Sequence, residues 1–210
     1  MDARITTLPG GHAALYDAAM WPAELAAVGA WRRRVAVEAR GRVLEIAAGT
    51  GAQFRWYVPG TTVTALEPDR GMLERARRRA ASAAARVTVV EGRAEEVPFP
   101  DGSFDAAVSA FGLCTVGDPA AALSELRRVL VPGGALLLLE HVHLPWEPGR
   151  ALQRRAAPAW AAVAGGCRLD RDTVKSAREA GFALVREQAH VAGWIVEAVL
   201  RNAGGLRAER

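Results

Sequence analysis

Short apolar runs alternate along this chain with stretches of helical periodicity. Strand-length runs occur at 42–47 (RVLEIA), 62–67 (TVTALE), 86–91 (RVTVVE), 103–109 (SFDAAVS) and 135–140 (ALLLLE). Between them, 71–85, rich in Ala and Arg, predicts a helix. So does 119–130, with apolar residues at Leu123, Leu126 and Leu130. Strands that alternate with helices imply parallel strands covered on both faces. The runs lack strict alternation, which fits strands buried on both sides. The first 40 residues read as amphipathic helix, with Pro22 restarting one helix and Gly41 ending another. After Gly149, helices are expected near 150–165 and 170–180. Two runs then follow, 182–191 and 194–200, separated by a turn short enough for a hairpin. The predicted fold class is α/β, a doubly wound sheet whose last strand is antiparallel.

Composition narrows the class. Of 210 residues, 50% are apolar and 24% charged, which is globular and not disordered. The longest apolar runs, 135–139 and 156–166, are too short to span a bilayer. The first residues show no basic-then-apolar leader pattern. Cys114 and Cys167 are too few for a disulfide scaffold or a four-cysteine zinc site, so no metal site is expected. The expected setting is cytoplasmic. Lys and Arg total 27 against 23 Asp and Glu, a net of +4, and the arginines occur in small groups. That pattern reads as solvated helix faces, not as the basic stripe of a nucleic-acid binder, so no nucleic-acid partner is expected.

Candidate chemistry begins at the end of the first strand, LEIAAGTGAQF (44–54). Gly49 and Gly51 there permit a left-handed backbone and let a ligand approach the chain closely. The loop stands at the carboxyl end of a parallel strand, where such sheets bind ligands. Glu67 ends the next strand, and its carboxylate is suited to accept hydrogen bonds from both hydroxyls of a ribose. Dinucleotide oxidoreductases share these features but want a third glycine, which is absent. A phosphate-cradling G-x-x-x-x-G-K-[ST] run is absent too.

Four segments in this order, LEIAAGTG, TALEPDRGMLERARRRA, GRAEEVPFPDGSFDAAVSAFGLCTVGDP and ALSELRRVLVPGGALLLLEHV, resemble the class I S-adenosylmethionine-dependent methyltransferases. The nearer likeness is to the quinone-biosynthesis and "methyltransferase domain" group. EHV, Gln153, Pro158-Ala159-Trp160, Gly166-Cys167-Arg168-Leu169 and Arg171-Asp172-Thr173 resemble the alkyl-thiol methyltransferases. The resemblance implies a Rossmann-like, seven-stranded, mostly parallel sheet. It also implies one domain over 1–210: a helical lid at 1–41, a cofactor-binding core at 42–142, and substrate-side helices with the hairpin at 143–210. The implied cofactor is S-adenosyl-L-methionine. Glu45, Ala47, Gly49 and Gly51 match the family's methionine-binding loop. Glu67 matches the ribose acid, and Pro68 and Met72 flank the adenine. Ala94 and Glu95 border the adenine ring, and Ser109 to Phe111 lie beneath the sulfonium and acceptor. Tyr16-Asp17 resembles the pair that closes over the cofactor. Ala47 stands where the family usually has glycine, and Arg93 where it often has an aspartate that receives the adenine amino group.

Methyl transfer from a sulfonium asks mainly for alignment in a dry pocket. A thiol, hydroxyl or amine acceptor also needs deprotonation, and an activated carbon needs a base. His141 is the candidate base, with His143 and His12 behind it. Cys114 and Cys167 read as buried small residues, Cys114 near the pocket. Trp160, in 156–166, reads either as core or as the wall of an apolar acceptor pocket, to which Trp21 and Trp31 could add. The expected acceptor is a small hydrophobic molecule: a thiol first, then a quinol, a phospholipid amine or a natural-product hydroxyl. The rivals are a nucleic-acid methyltransferase, which wants an [ND]-P-P-[YF] run where this chain has SAFG, and a cofactor-binding module without turnover. Contact of the N-terminal helices with a membrane surface stays open, and nothing in the pattern fixes an oligomeric state.

Overall fold

The structure is a computed structural model that describes residues 12–204. Seven strands form one sheet: β1 (Arg42–Ile46), β2 (Thr62–Glu67), β3 (Arg86–Glu91), β4 (Phe104–Ala110), β5 (Leu130–His141), β6 (Phe182–His190) and β7 (Ile195–Asn202). Their spatial order is β3-β2-β1-β4-β5-β7-β6. β7 runs antiparallel to both neighbours, and the other pairings are parallel. This is the expected Rossmann-like, mostly parallel sheet with an antiparallel last strand. The order reverses between β1 and β4, and that reversal opens a crevice at the carboxyl ends of the strands.

Alternation along β5 divides the core. Leu136 and Leu138 pack on one face with Leu44, Ile46 and Leu66. Leu137 and Leu139 pack on the other with Val43, Val63 and Val108. Helix α4 (Pro119–Val129) covers the first face with Leu123, Leu126 and Val129, which share one helical stripe. Asp118 Oδ1 caps this helix by accepting from the Ala120 and Ala121 amides, and Pro119 is preset for its first turn. The other face is covered by α2 (Gly29–Glu38) through Val35 and Ala36, and by α3 (Arg70–Ala80) through Ala76. Each leucine sealed this way contributes about 1.5–3 kcal/mol of apolar burial.

Several expectations are corrected. Pro22 lies inside α1 (His12–Ala23) and does not restart a helix. The chain runs on through a π-helical turn, Glu24–Val28, where the Gly29 amide donates to the Glu24 carbonyl five residues back. α3 stops at Ala80, short of 85. Burial on both sides fails at the sheet edges: β3 is mostly half-exposed, and β6 is exposed from Ala183 to Ala189. Residues 156–163 of the 156–166 stretch belong to α5 (Glu147–Val163), a surface helix and not a core one, and 164–166 form the turn after it. Of its side chains described, Gln153 and Ala157 are buried. Among the described residues, no helix is long and apolar enough to cross a membrane.

Candidate cofactor and acceptor site

The crevice is built from strand ends. The loop after β1 turns through Ala47, Gly49 and Gly51, with φ of 47°, 57° and 78°. A Cβ on Gly51 would lie 2.6 Å from the Phe54 ring, so this position excludes other residues. A Cβ on Gly49 would meet nothing within 4 Å, so the backbone there faces open space. Ala47 takes the left-handed conformation that a glycine would adopt without strain.

Glu67 lies beside this loop. Its Oε2 accepts from the Gly49 amide at 2.7 Å, and its Oε1 accepts from the Asp69 amide at 2.9 Å. Burial raises its pKa, and those two amides offset part of the rise. A carboxylate offers about four acceptor sites, so acceptor capacity remains. Asp69 also caps α3 by accepting from the Met72 amide, which sets Pro68 and Met72 at the same rim.

The remaining cofactor candidates play other parts in the protein itself. Glu45 is buried and accepts from the Tyr57 hydroxyl at 2.8 Å. Burial raises its pKa to about 7. Ala94 belongs to the core cluster. Glu95 Oε1 accepts from the Gly117 and Asp118 amides, steadying the turn before α4. The Ser109 hydroxyl is fully buried, donates to Glu140 Oε1 at 2.6 Å and accepts from the Leu113 amide.

Helix α1 packs over the loop. Asp17 accepts from the Thr50 hydroxyl at 2.7 Å and pairs with Arg79 at 2.7 Å and with Arg75. Arg79 Nη1 donates to the Thr50 carbonyl as well. Tyr16, beside Asp17 on this helix, is partly exposed, and burial of the rest of the ring raises its pKa.

The region around His141 collects residues from distant segments. Phe111 sits after β4 with φ of 62°. The Arg32 guanidinium lies 5.3 Å from its ring centre, and the His141 ring 4.7 Å. His141 also packs 5.4 Å from Trp194, and Trp194 lies 6.2 Å from Trp160. The Trp194 Nε1 is buried and has no hydrogen-bond partner. Cys114 and Cys167 are buried free thiols with Sγ atoms 3.5 Å apart. Cys167 Sγ lies 3.4 Å from His141 Nδ1. The neighbouring Cys114 thiol and the His141 ring favour the Cys167 thiolate and lower its pKa, while Cys114 is pushed up by Cys167 and by burial.

Glu140 supports this wall from beneath. Its Oε1 accepts from the Gly112 and Leu113 amides and its Oε2 from the Cys114 amide, each at 3.0 Å. Arg171 donates to the Leu113 and Val116 carbonyls, which ties the following loop to the same turn.

Other expectations do not reach the site. His143 pairs with Asp172 at 3.3 Å, at the start of α6 (Thr173–Glu179). Trp31 stacks on His190 and shares a core cluster with Phe111 without a ring contact to it, and Trp21 is exposed. The His12 side chain lies outside the described residues. Reading the sequence missed Arg32, Glu140 and Trp194, and took Cys167 for a buried small residue with no part in the site. Only Glu140 carries a local signal, an acid closing an apolar strand as Glu67 does.

Residues 44–138 match the model of a family described as "Methyltransferase domain". The human thiol S-methyltransferase TMT1B is 35% identical over 159 residues, covering 70% of this chain and 63% of that protein. The demethylmenaquinone methyltransferase of Renibacterium salmoninarum is 40% identical over 139 residues, covering 61% and 56%. The chain thus spans less than two thirds of the length of these relatives. In fold, an O-methyltransferase family protein from Burkholderia thailandensis superposes with a TM-score of 0.73 at 19% identity, over 92% of this chain and 60% of that one. Over residues 44–138, where the glycine loop and Glu67 lie, this chain is similar to the methyltransferase-domain family.

Proposed function

We propose that this protein is an S-adenosylmethionine-dependent methyltransferase acting on a small hydrophobic acceptor, a thiol by preference. One observation carries the reading. An open backbone cradle at Gly49 lies beside a buried carboxylate, Glu67, with acceptor capacity to spare, at the point where the strand order reverses.

The residues fit the cofactor. The 47–51 loop offers backbone at close approach, Glu67 has acceptor sites left for ribose hydroxyls, and Pro68 and Met72 border the adenine side. Bound there, the cofactor supplies an electrophilic methyl group on a sulfonium. Asp17 holds α1 over the loop and keeps water out. Phe111, Trp160 and Trp194 make the acceptor side apolar, which suits a hydrophobic molecule better than a nucleic acid. A thiol must lose its proton to become a nucleophile, and His141, with the Cys114 and Cys167 thiols beside it, stands on that wall to assist the loss. The thiol preference draws support from the relative named as a thiol S-methyltransferase. A quinol is the second reading, favoured by the relative named for demethylmenaquinone. Two free thiols 3.5 Å apart suit a reducing, cytoplasmic setting.

The test is S-adenosylhomocysteine release with a hydrophobic alkyl thiol, beside the matched alcohol and an acceptor-free blank. Thiol-dependent release above both is expected. Protein that binds the cofactor yet shows no thiol dependence would remove the thiol and leave quinols, phospholipid amines and hydroxyls.

A further inference from the structure

We infer that Cys114, Cys167 and His141 hold a soft divalent cation of the zinc class, whose remaining position takes the acceptor's sulfur. The second half rests on the thiol reading above; the first half stands without it.

The geometry is that of a coordination shell. The two sulfurs lie 3.5 Å apart, and His141 Nδ1 lies 3.4 Å from one and 3.9 Å from the other. Tetrahedral zinc, with bonds of about 2.3 Å to sulfur and about 2.0 Å to nitrogen, spaces such ligand atoms roughly 3.5–3.8 Å apart. One cation among the three reaches all of them with little movement. A disulfide would instead have to draw the sulfurs in to about 2.05 Å. Two thiolates neutralise a dication, and a neutral imidazole adds no charge, so the filled site is cheap to bury.

The three ligands come from separate segments that are fixed without using the ligand atoms. Glu140 accepts from the Cys114 amide, and the Arg168 amide donates to the Cys114 carbonyl at 2.8 Å. The second bond docks the loop carrying Cys167 on the loop carrying Cys114. His141 ends β5 and is held between Phe111 and Trp194. Such outer support is what gives a metal site its geometry.

Three protein ligands leave a tetrahedral cation one open position, the arrangement of catalytic zinc. Here the surroundings of that position are apolar: Phe111, Trp160 and Trp194 pack around the cluster. A thiol arriving there gives its proton to solvent as its sulfur binds the cation, with no change of oxidation state. The sulfur is then held as a thiolate at neutral pH. His141 thereby serves the acceptor as a ligand of the cation, and not as a free base.

Cobalt(II), added to the reduced, metal-free full-length protein, reads the site by absorption. One equivalent should bring up thiolate-to-cobalt charge transfer with intense tetrahedral bands, and zinc should bleach them. The Cys167→Ser variant, checked for folding by circular dichroism and S-adenosylhomocysteine binding, should lose most of the charge-transfer intensity. An alkyl thiol should shift the tetrahedral bands where the matched alcohol does not, and chelation should lower thiol turnover by about tenfold or more. Reduced protein that develops no thiolate band, or a band that survives both Cys114→Ser and Cys167→Ser, overturns the site. Thiol turnover undiminished in metal-free protein overturns its role in the reaction while sparing the thiol reading. A normal cobalt spectrum without thiol turnover keeps the site and removes the acceptor sulfur from it.

Discussion

Burying a carboxylate is costly, and the strands of this sheet carry Glu45, Glu67, Glu140 and Glu197 buried toward the end where the cleft opens. Glu45 titrates where the cost can be measured. Burial raises its pKa from 4.5 to about 7, with the Tyr57 hydrogen bond offsetting part of the rise. The folded chain therefore keeps a proton that the unfolded chain releases. Its stabilising contribution is complete below the unfolded value and is lost as pH rises through about 7. At about 1.36 kcal/mol per unit, the loss across that window is about 3 kcal/mol. Urea unfolding should show wild type losing stability over this range and Glu45→Gln losing much less. Parallel pH profiles would mean that Glu45 does not titrate there. Glu67 makes a different prediction. Glu67→Ala removes the acceptor proposed for the ribose and the anchor of the Gly49 amide. Calorimetry should find cofactor binding weaker by roughly 1.5–3 kcal/mol, about 10- to 100-fold. Unchanged affinity would take Glu67 out of the binding site.

Among elements, α1 is the one whose placement rests on a few polar contacts. Asp17 alone meets Thr50, Arg75 and Arg79, and its side chain is only 15% exposed. Charge-assisted contacts with that little exposure are worth more than surface pairs. Asp17→Ala should speed cofactor release by about tenfold, read by stopped-flow competition, and should expose α1 to limited proteolysis. An unchanged release rate would show that α1 does not gate the cleft. Elements also show where local signals were enough. The runs RVLEI, TVTALE and RVTVVE predict β1, β2 and β3 almost residue for residue, because short apolar runs between turn residues have few alternatives. The Asp118-Pro119 pair, cap and first residue of α4, marks its start for the same reason. The π-helical turn after Pro22 was not legible, since proline signals a break but not how neighbouring carbonyls are re-paired. Nor was the 191–193 turn, where Val191 and Ala192 adopt positive φ against their own preference.

For the whole molecule, the sequence by itself determined the strand–helix alternation, the sheet's class, the glycine loop and Glu67. All of these are local: each depends on residues within a few positions of one another, and on propensities that hold in any context. The cluster around His141 is the opposite case. Cys114, His141 and Cys167 stand 27 and 26 residues apart, at no spacing that a metal motif would use. Arg32 comes from a helix before the first strand, and Trp194 from the last hairpin turn. Only the tertiary structure, by seating β5 between β4 and β7 and folding the Cys167 loop onto the turn after β4, decided that they meet. The physical reason is that three side chains form a site through distance and dryness, and both are properties of packing that no single stretch of chain carries.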